Sequence, residues 1–206
     1  LERRNHWEKT GHALLVGVIL HVLYAEADKT LSGCVRFLSD PKRSFAVTLR
    51  IMMTTPHLGE RGVHPIVAQA ARELLNKSEN ERSGVLSTAM SFLSLYRDPV
   101  IAEITSRSDW RIEDLVEGES PLSLYLVVPP SDLSRTKPLI RLILNQIGRR
   151  LTEDLPEKNR RKLLFMLDEF PALGRLDFFE SALAFMAGYG IRAYLIAQSL
   201  NQIEKA

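Results

Sequence analysis

The stretch KLLFMLDEFPALGRL, Lys162–Leu176, decides how the rest of the chain is read. Five apolar residues, Leu163 to Leu167, run straight into two adjacent acids, Asp168 and Glu169. A continuous rather than alternating apolar run is the pattern of a strand covered on both faces of a parallel sheet. An uncompensated carboxylate is costly to bury, so the two acids mark the point where the strand leaves its core. Pro171 and Gly174 follow at once, as expected of a strand that ends in a turn.

Open parallel sheets bind ligands beyond the carboxyl ends of their strands, and these acids fall at such an end. An apolar strand closed by Asp-Glu has the form of the Walker B strand of nucleotide hydrolases. The first acid, Asp168, suits Mg²⁺, held through water, because Mg²⁺ takes oxygen ligands and keeps several waters. The second, Glu169, suits proton acceptance from a water attacking a γ-phosphate. Neighbouring strand residues point to opposite faces, so both acids serve one site only if the strand stops there. Two solvated acids before a proline are the plain structural alternative. The segment IAQS, Ile196–Ser199, places Gln198 at the next strand tip, where an amide senses a γ-phosphate or orients the attacking water. Arg175 and Arg192 are candidate phosphate or interface residues, acting in their own subunit or in a neighbour; a surface or packing role is the alternative for each.

Working outward, the second half alternates. SLYLVVPP, Ser123–Pro130, is a short β-rich run stopped by two prolines and predicts a strand. KPLIRLILNQIGRRL repeats apolar residues at Leu139, Leu142, Ile143, Ile147 and Leu151, a helix. The Lys162–Glu169 strand, a helix over DFFESALAFMAGY closed by Gly188 or Gly190, and a strand over IRAYLIAQ complete a β-α-β-α-β order. That order predicts a parallel sheet.

The first half reads as helices. HALLVGVILHVLYAEA is apolar all round and predicts a buried helix. KTLSGCVRFLSD stops before Pro41 and KRSFAVTLRIMMTT before Pro56. HPIVAQAARELLNKS sets Ile66, Val67, Ala70, Ala71, Leu74 and Leu75 on one face. Ser78 with Glu81 forms a capping-box pattern, and Asp98-Pro99 an N-cap with Pro at the first helical position. The expected domains are an all-α domain over 1–106 and an α/β domain over 107–206.

Composition adds limits. Net charge is +2, which argues for no class of partner. Arg141 to Lys162 carries seven basic residues against three acids. Those from Arg149 to Lys162 are a candidate DNA-facing cluster, with a solvated loop as the alternative. Arg36, Lys42, Arg43 and Arg50 form a second basic group around Pro41. Cys34 sits among Leu31, Val35 and Phe37, so a buried structural thiol is expected and no intrachain disulfide is possible. Among His6, His12, His21, His57 and His64, the His57 and His64 pair lacks a nearby third ligand, so no metal is expected there. Trp7 and Trp110 read as packing residues. The longest apolar run, Ala13–Leu20, is far short of a membrane span. The first residue is Leu1 and the closing NQIEKA reads as an unfinished helix, which suggests a piece of a longer protein.

From LLFMLDEFPALGRL through AGYGIR and AQS, about 45 residues resemble the TraG/TraD-type coupling proteins of conjugative and type IV secretion systems. STAMSFLSLYRDPVIAEITSRSDW and LYLVVPPSD resemble the same family. The resemblance implies a RecA-like P-loop NTPase motor interrupted by an all-α domain that recognises cargo or DNA. It implies a homo-hexameric ATPase using ATP and Mg²⁺, anchored in the bacterial inner membrane with its motor on the cytoplasmic face. Its implied partners are the relaxase or relaxosome, DNA and the secretion channel components. Asp168 and Glu169 match the Walker B pair, Asp168 on Mg²⁺ and Glu169 catalytic, and Gln198 matches the glutamine of the following strand. Any membrane anchor then lies outside these residues. No GxxxxGK[ST] loop occurs in the chain; GERGVHP at Gly59 has neither the Lys-Ser/Thr pair nor a preceding strand. The chain alone is therefore expected to be inactive on ATP. Two rival readings remain: a non-catalytic cargo-recognition adaptor on a degenerate nucleotide fold, and a chromosome-segregation pump, which AGYGIR and PALGRL disfavour.

Overall fold

The computed structural model describes residues 6–156, 160–199 and 201. Lys158 of the basic cluster, Leu1 and nearly all of the closing NQIEKA lie outside them. The chain divides into two compact units, residues 1–107 and 108–206.

The first unit is helical, and local caps explain where its helices begin. Helix α1 spans His6–Ala25. Thr30 caps α2, Leu31–Leu38, by accepting the Gly33 N–H, and Ser44 caps α3, Phe45–Thr54, through Val47. Helix α4, Pro65–Leu75, starts with Pro at its first position behind His64, whose ring accepts the Ile66 N–H. Ser78 caps α5, Glu79–Phe92, through the Glu81 N–H. The capping box is only half made, because the Glu81 carboxylate takes Lys77 Nζ at 2.6 Å. Asp98 accepts from both Val100 and Ile101 to start α6, Pro99–Ile104.

Helix α1 packs against α2, α4 and α5, while α3 packs against α4. Leu14, Gly17, Val18, His21 and Val22 form its buried stripe. Gly17 permits the close approach to α4: a Cβ there would sit 2.8 Å from the Ala70 methyl. The expectation of a helix buried all round is corrected, since Leu23 and Tyr24 are exposed. The α4 stripe is also narrower than expected. Val67, Ala70, Ala71 and Leu74 are buried, whereas Ile66 in the first turn points outward.

The second unit contains α7 (Asp114–Glu117), α8 (Leu133–Arg150), β1 (Leu163–Leu167), α9 (Asp177–Met186) and β2 (Ile191–Leu195). The strands pair in parallel, Leu163 opposite Ile191 through Leu167 opposite Leu195. Gly190, at φ +74°, turns the chain from the end of the α9 region into β2. Leu144, Ile147 and Leu151 at the α8 end, Phe165 and Leu167 on β1, and Phe179, Ala182 and Met186 on α9 form the core.

Three expectations fail here. SLYLVVPP makes no strand, and the described sheet has two strands rather than three. Leu124 packs on the core, but Tyr125 and Val127 are 81% and 86% exposed. A run of β-forming residues becomes a strand only where a neighbour takes its backbone hydrogen bonds, and no described strand does so. The sheet is also covered on one face rather than two. Phe165 and Leu167 face the helices, while Leu164, Met166 and Tyr194 are 54%, 64% and 58% exposed. Helix α8 starts at Leu133, ahead of Lys137, and buries Leu144 where Leu142 was expected.

Candidate functional site

The β1 strand ends at Leu167, and the chain turns immediately. Asp168 is exposed, and its Oδ1 accepts the Glu169 N–H at 3.1 Å. Glu169 adopts φ 50°, ψ 40°, the left-handed region, alone among the described non-glycine residues. This bend breaks the strand alternation that would otherwise send the two carboxylates to opposite faces. Backbone bonds fix the bend. Ile196 N–H donates to Leu167 O at 3.0 Å, Phe170 N–H to Ile196 O at 3.0 Å, and Ala172 N–H to Glu169 O at 2.8 Å.

The ladder thus continues past β2 and delivers Gln198 to the turn. The Gln198 Nε2–H donates to Glu169 Oε1 at 2.6 Å, joining residues 29 apart in sequence. Two of the three strand-tip residues expected from sequence are in contact, and the third, Asp168, bonds the backbone of its neighbour. Arg175 pairs with Glu180 on α9 at 3.0 Å. Arg192 lies opposite Leu164 in the register. Leu164 lies four residues before Asp168, so Arg192 stands roughly 13 Å along the strand from the acidic tip, and the described geometry does not bring it to the carboxylates.

Asp168 supplies a hard, exposed oxygen donor. Mg²⁺ needs only one or two carboxylates beside waters and phosphate oxygens, so this residue fits that ion. Among the described residues no three His, Cys, Asp or Glu side chains converge as an all-protein metal cage requires.

The basic groups found in the sequence are largely engaged. Arg150 binds Glu113 at 2.7 Å and Glu153 at 2.5 Å, and its hydrogen bond to Glu113 pulls that carboxyl below its ordinary range. Arg149 lies over the Phe178 ring and Arg160 Nη1–H donates to Leu151 O, whereas Arg161 Nη1 is buried with no hydrogen-bond partner among the described residues. In the helical unit Arg36 pairs with Asp28, and Arg43 stacks on Phe37 while donating to its carbonyl. Lys42 and Arg50 are exposed. Cys34 is buried, and burial pushes its thiol up to about 11, so it is a thiol rather than a nucleophilic thiolate at neutral pH.

Sequence reading missed a buried histidine pair. His21 Nδ1 and His57 Nε2 lie 2.8 Å apart, His57 Nδ1 accepts the His64 N–H at 3.3 Å, and His21 Nε2 stands 3.4 Å from Glu26 Oε1. The available signal was His21 falling on the buried stripe of α1, four residues after Gly17.

By fold and site, this is a protein with a helical unit joined in sequence to a parallel α/β unit whose strand tip carries an Asp-Glu pair contacted by glutamine. The family described as Type IV secretory system Conjugative DNA transfer matches residues 2–206, and the chain belongs to it. It is 44% identical over 211 residues to a conjugal transfer protein TraG of Escherichia coli, covering 97% of this chain and 33% of that protein. It is 41% identical over 112 residues to protein VirD4 of Agrobacterium fabrum, covering 54% of this chain and 16% of that one. A type IV secretion system-coupling protein VirD4 of Bartonella quintana is 24% identical over 204 residues, 96% of this chain and 30% of its own length. The chain therefore spans about a third of the length of the TraG relative. Among the described residues, no helix is long and apolar enough to cross a membrane.

Proposed function

We propose that this chain carries part of the RecA-like motor, and the helical domain inserted in it, of a hexameric coupling ATPase. The ATPase would recruit relaxase–DNA or protein substrates to a type IV secretion channel at the inner membrane and drive conjugative DNA transfer. The observation that carries the reading is the 2.6 Å bond from Gln198 to Glu169, which ties the tips of two parallel strands together beside Asp168. A pair of solvated acids gives no reason for an amide from the next strand to seat on one of them. The family membership and the TraG and VirD4 names support the same assignment.

In the mechanism we infer, the Asp168 carboxylate would hold Mg²⁺. Bound with ATP, that ion supplies charge neutralisation on the transferring phosphoryl group. Glu169 takes the proton of the attacking water at a carboxylate oxygen. The Gln198 amide fixes the orientation of that carboxylate through Oε1, and is placed to exchange this partner for a phosphate oxygen or the water itself. No GxxxxGK[ST] loop lies in the 206 residues, so the backbone cradle for a triphosphate has to come from elsewhere in the assembly.

The test is a graft. This chain replaces the matching region of the E. coli TraG relative, and plasmid transfer frequency is measured in mating assays. The unaltered graft should support transfer, and Glu169→Gln should lower it by at least about a hundredfold, the usual scale for losing a general base. Transfer by the Glu169→Gln and Asp168→Ala grafts at the unaltered frequency would refute the proposal.

A further inference from the structure

We propose that Lys137 and Arg141 form a binding site for a terminal phosphate group at the loop following the Asp168–Glu169 tip. The two residues are four apart on α8 and so share a face. Arg141 Nη1–H donates to Leu173 O at 3.0 Å, which pins the 3₁₀ turn Phe170–Leu173 against the helix. The next residue, Gly174, has φ +65° and no side chain. A Cβ there would lie 2.9 Å from Lys137 Nζ and 3.6 Å from Arg141 Nη1, so the two cationic groups are within about 7 Å of each other.

Like charges held that close repel. Both residues and Gly174 are half-buried, which limits relief by solvent. Among the described residues no ion pair involves either cation, in contrast to Arg36, Arg150 and Arg175, each of which has a carboxylate partner. The missing side chain at Gly174 is what lets both cationic ends reach this loop. Charge-assisted N–H···O contacts of about 2.8 Å to each cation span the gap across one phosphate.

The charge count selects the ligand. Two cations match a phosphate monoester or inorganic phosphate, which carries close to two negative charges at neutral pH. A nucleic-acid phosphodiester carries one, and it continues as a chain in both directions rather than presenting an end. The inference goes beyond the ATPase reading and does not need Glu169 to be a base.

The experiment follows Lys137 and Arg141 side-chain signals and the Gly174 amide by NMR in the 206-residue chain. Inorganic phosphate, AMP, ATP and an oligonucleotide lacking a terminal phosphate are added separately at constant ionic strength. A saturable shift of all three reporters with phosphate is expected. Lys137→Met should weaken it at least about tenfold, the scale of one charged hydrogen bond; Lys137→Gln serves if the first variant misfolds, with the α8 amides reporting the fold. Equal binding of phosphate and AMP assigns the site to the free ion, and tighter AMP or ATP binding assigns it to a nucleotide end; either supports the site. Absence of a saturable shift, no weakening on losing Lys137, or preferential binding of the oligonucleotide overturns it.

Discussion

The buried histidine pair makes the helical unit sensitive to acid, and its hydrogen bonds fix the sign. His57 Nδ1 accepts from the His64 N–H, so neutral His57 carries its proton on Nε2. That proton is donated to His21 Nδ1 across 2.8 Å, which puts the His21 proton on Nε2, facing Glu26 at 3.4 Å. While both rings are neutral, the His64 N–H and the His57 Nε2–H each meet an acceptor, and His21 Nε2 is buried near Glu26 without a hydrogen bond. A proton added to His57 sets Nδ1–H against the His64 N–H, and one added to His21 crowds two protons into the 2.8 Å gap. Burial is the main force holding both rings below the ordinary value of 6.5. For His21 the His57 and Arg43 charges add to it while Glu26 opposes it, and for His57 the His64 charge adds to it. Tyr24 and Phe37 supply the rest of the wall. A group whose folded value is depressed leaves the unfolded chain binding more protons, so stability is complete above about pH 6.5 and falls as the pH drops toward the folded values. Each proton taken up on unfolding contributes about 1.4 kcal/mol per pH unit, so the pair gives at most about 2.7. Amide hydrogen exchange at Val18, Val22, Val67 and Leu74, corrected for intrinsic rates, reads the stability of this unit separately. Protection should be level from pH 8 to 7 and fall from pH 6.5 to 5.5, and a His21→Leu/His57→Leu variant should lose that slope. A wild-type chain with constant protection down to pH 5.5, or a double variant with the same slope, would refute the proton assignment.

Packing and chemistry give further expectations. A Cβ on Gly33 would meet the Asp28 carbonyl oxygen at 2.1 Å, and backbone yields poorly. Gly33→Ala should therefore cost at least the 1–3 kcal/mol typical of overpacking, roughly, measured by urea unfolding. Phe165→Ala should cost about 3–5 kcal/mol, whereas Met166→Gln on the bare face of the sheet should stay within about 0.5 kcal/mol; equal costs would place the core on the wrong face. The chain by itself should turn over ATP negligibly in a phosphate-release assay, and robust turnover abolished by Glu169→Gln would show that the missing phosphate loop is not needed.

Local rules carried well wherever the deciding residues are neighbours. Ser78 and Asp98 start helices because a cap and the N–H it satisfies lie within three residues, and the strand over Leu163–Leu167 ends at its acids as expected. The same rules misread SLYLVVPP, because β propensity says what fits a pleat and nothing about whether a neighbouring strand exists. The bare face of β1 escaped notice for the same reason: Leu164 and Met166 look like core residues in any apolar run. The site was half legible. Asp168, Glu169 and Gln198 were visible as strand-tip residues, but their contact depends on the left-handed bend at Glu169, which no pattern of residue types announced. The histidine pair spans 36 residues, and the Lys137–Arg141–Gly174 cluster joins α8 to a loop more than 30 positions away. Both are tertiary facts.

The bend at Glu169 is itself open to test. A side chain in the left-handed region costs an L-residue about 1–2 kcal/mol, and such strain persists where surrounding structure over-determines it, often at functional sites. Three backbone bonds, from Ile196, Phe170 and Ala172, hold this turn whatever side chain stands at 169. Replacement should therefore follow backbone preference rather than polarity. Glu169→Gly relieves the strain but frees the unfolded chain by roughly 0.4–1 kcal/mol and loses the exposed bond to Gln198, so its net effect should be near zero. Glu169→Asn should resemble it, since Asn enters this region several-fold more readily than most residues. Glu169→Val, stiff at χ1 and excluded from this region, should fall below glycine by about 2 kcal/mol or more. Urea unfolding of the four proteins gives the order directly. A valine variant as stable as the glycine variant would mean that residue 169 does not hold this conformation, and the contact from Gln198 would lose its structural basis. If the order holds while the glycine graft fails to transfer plasmid, the chain retains a strained glutamate that glycine could replace at no cost to the fold. The carboxylate would then be kept for its chemistry.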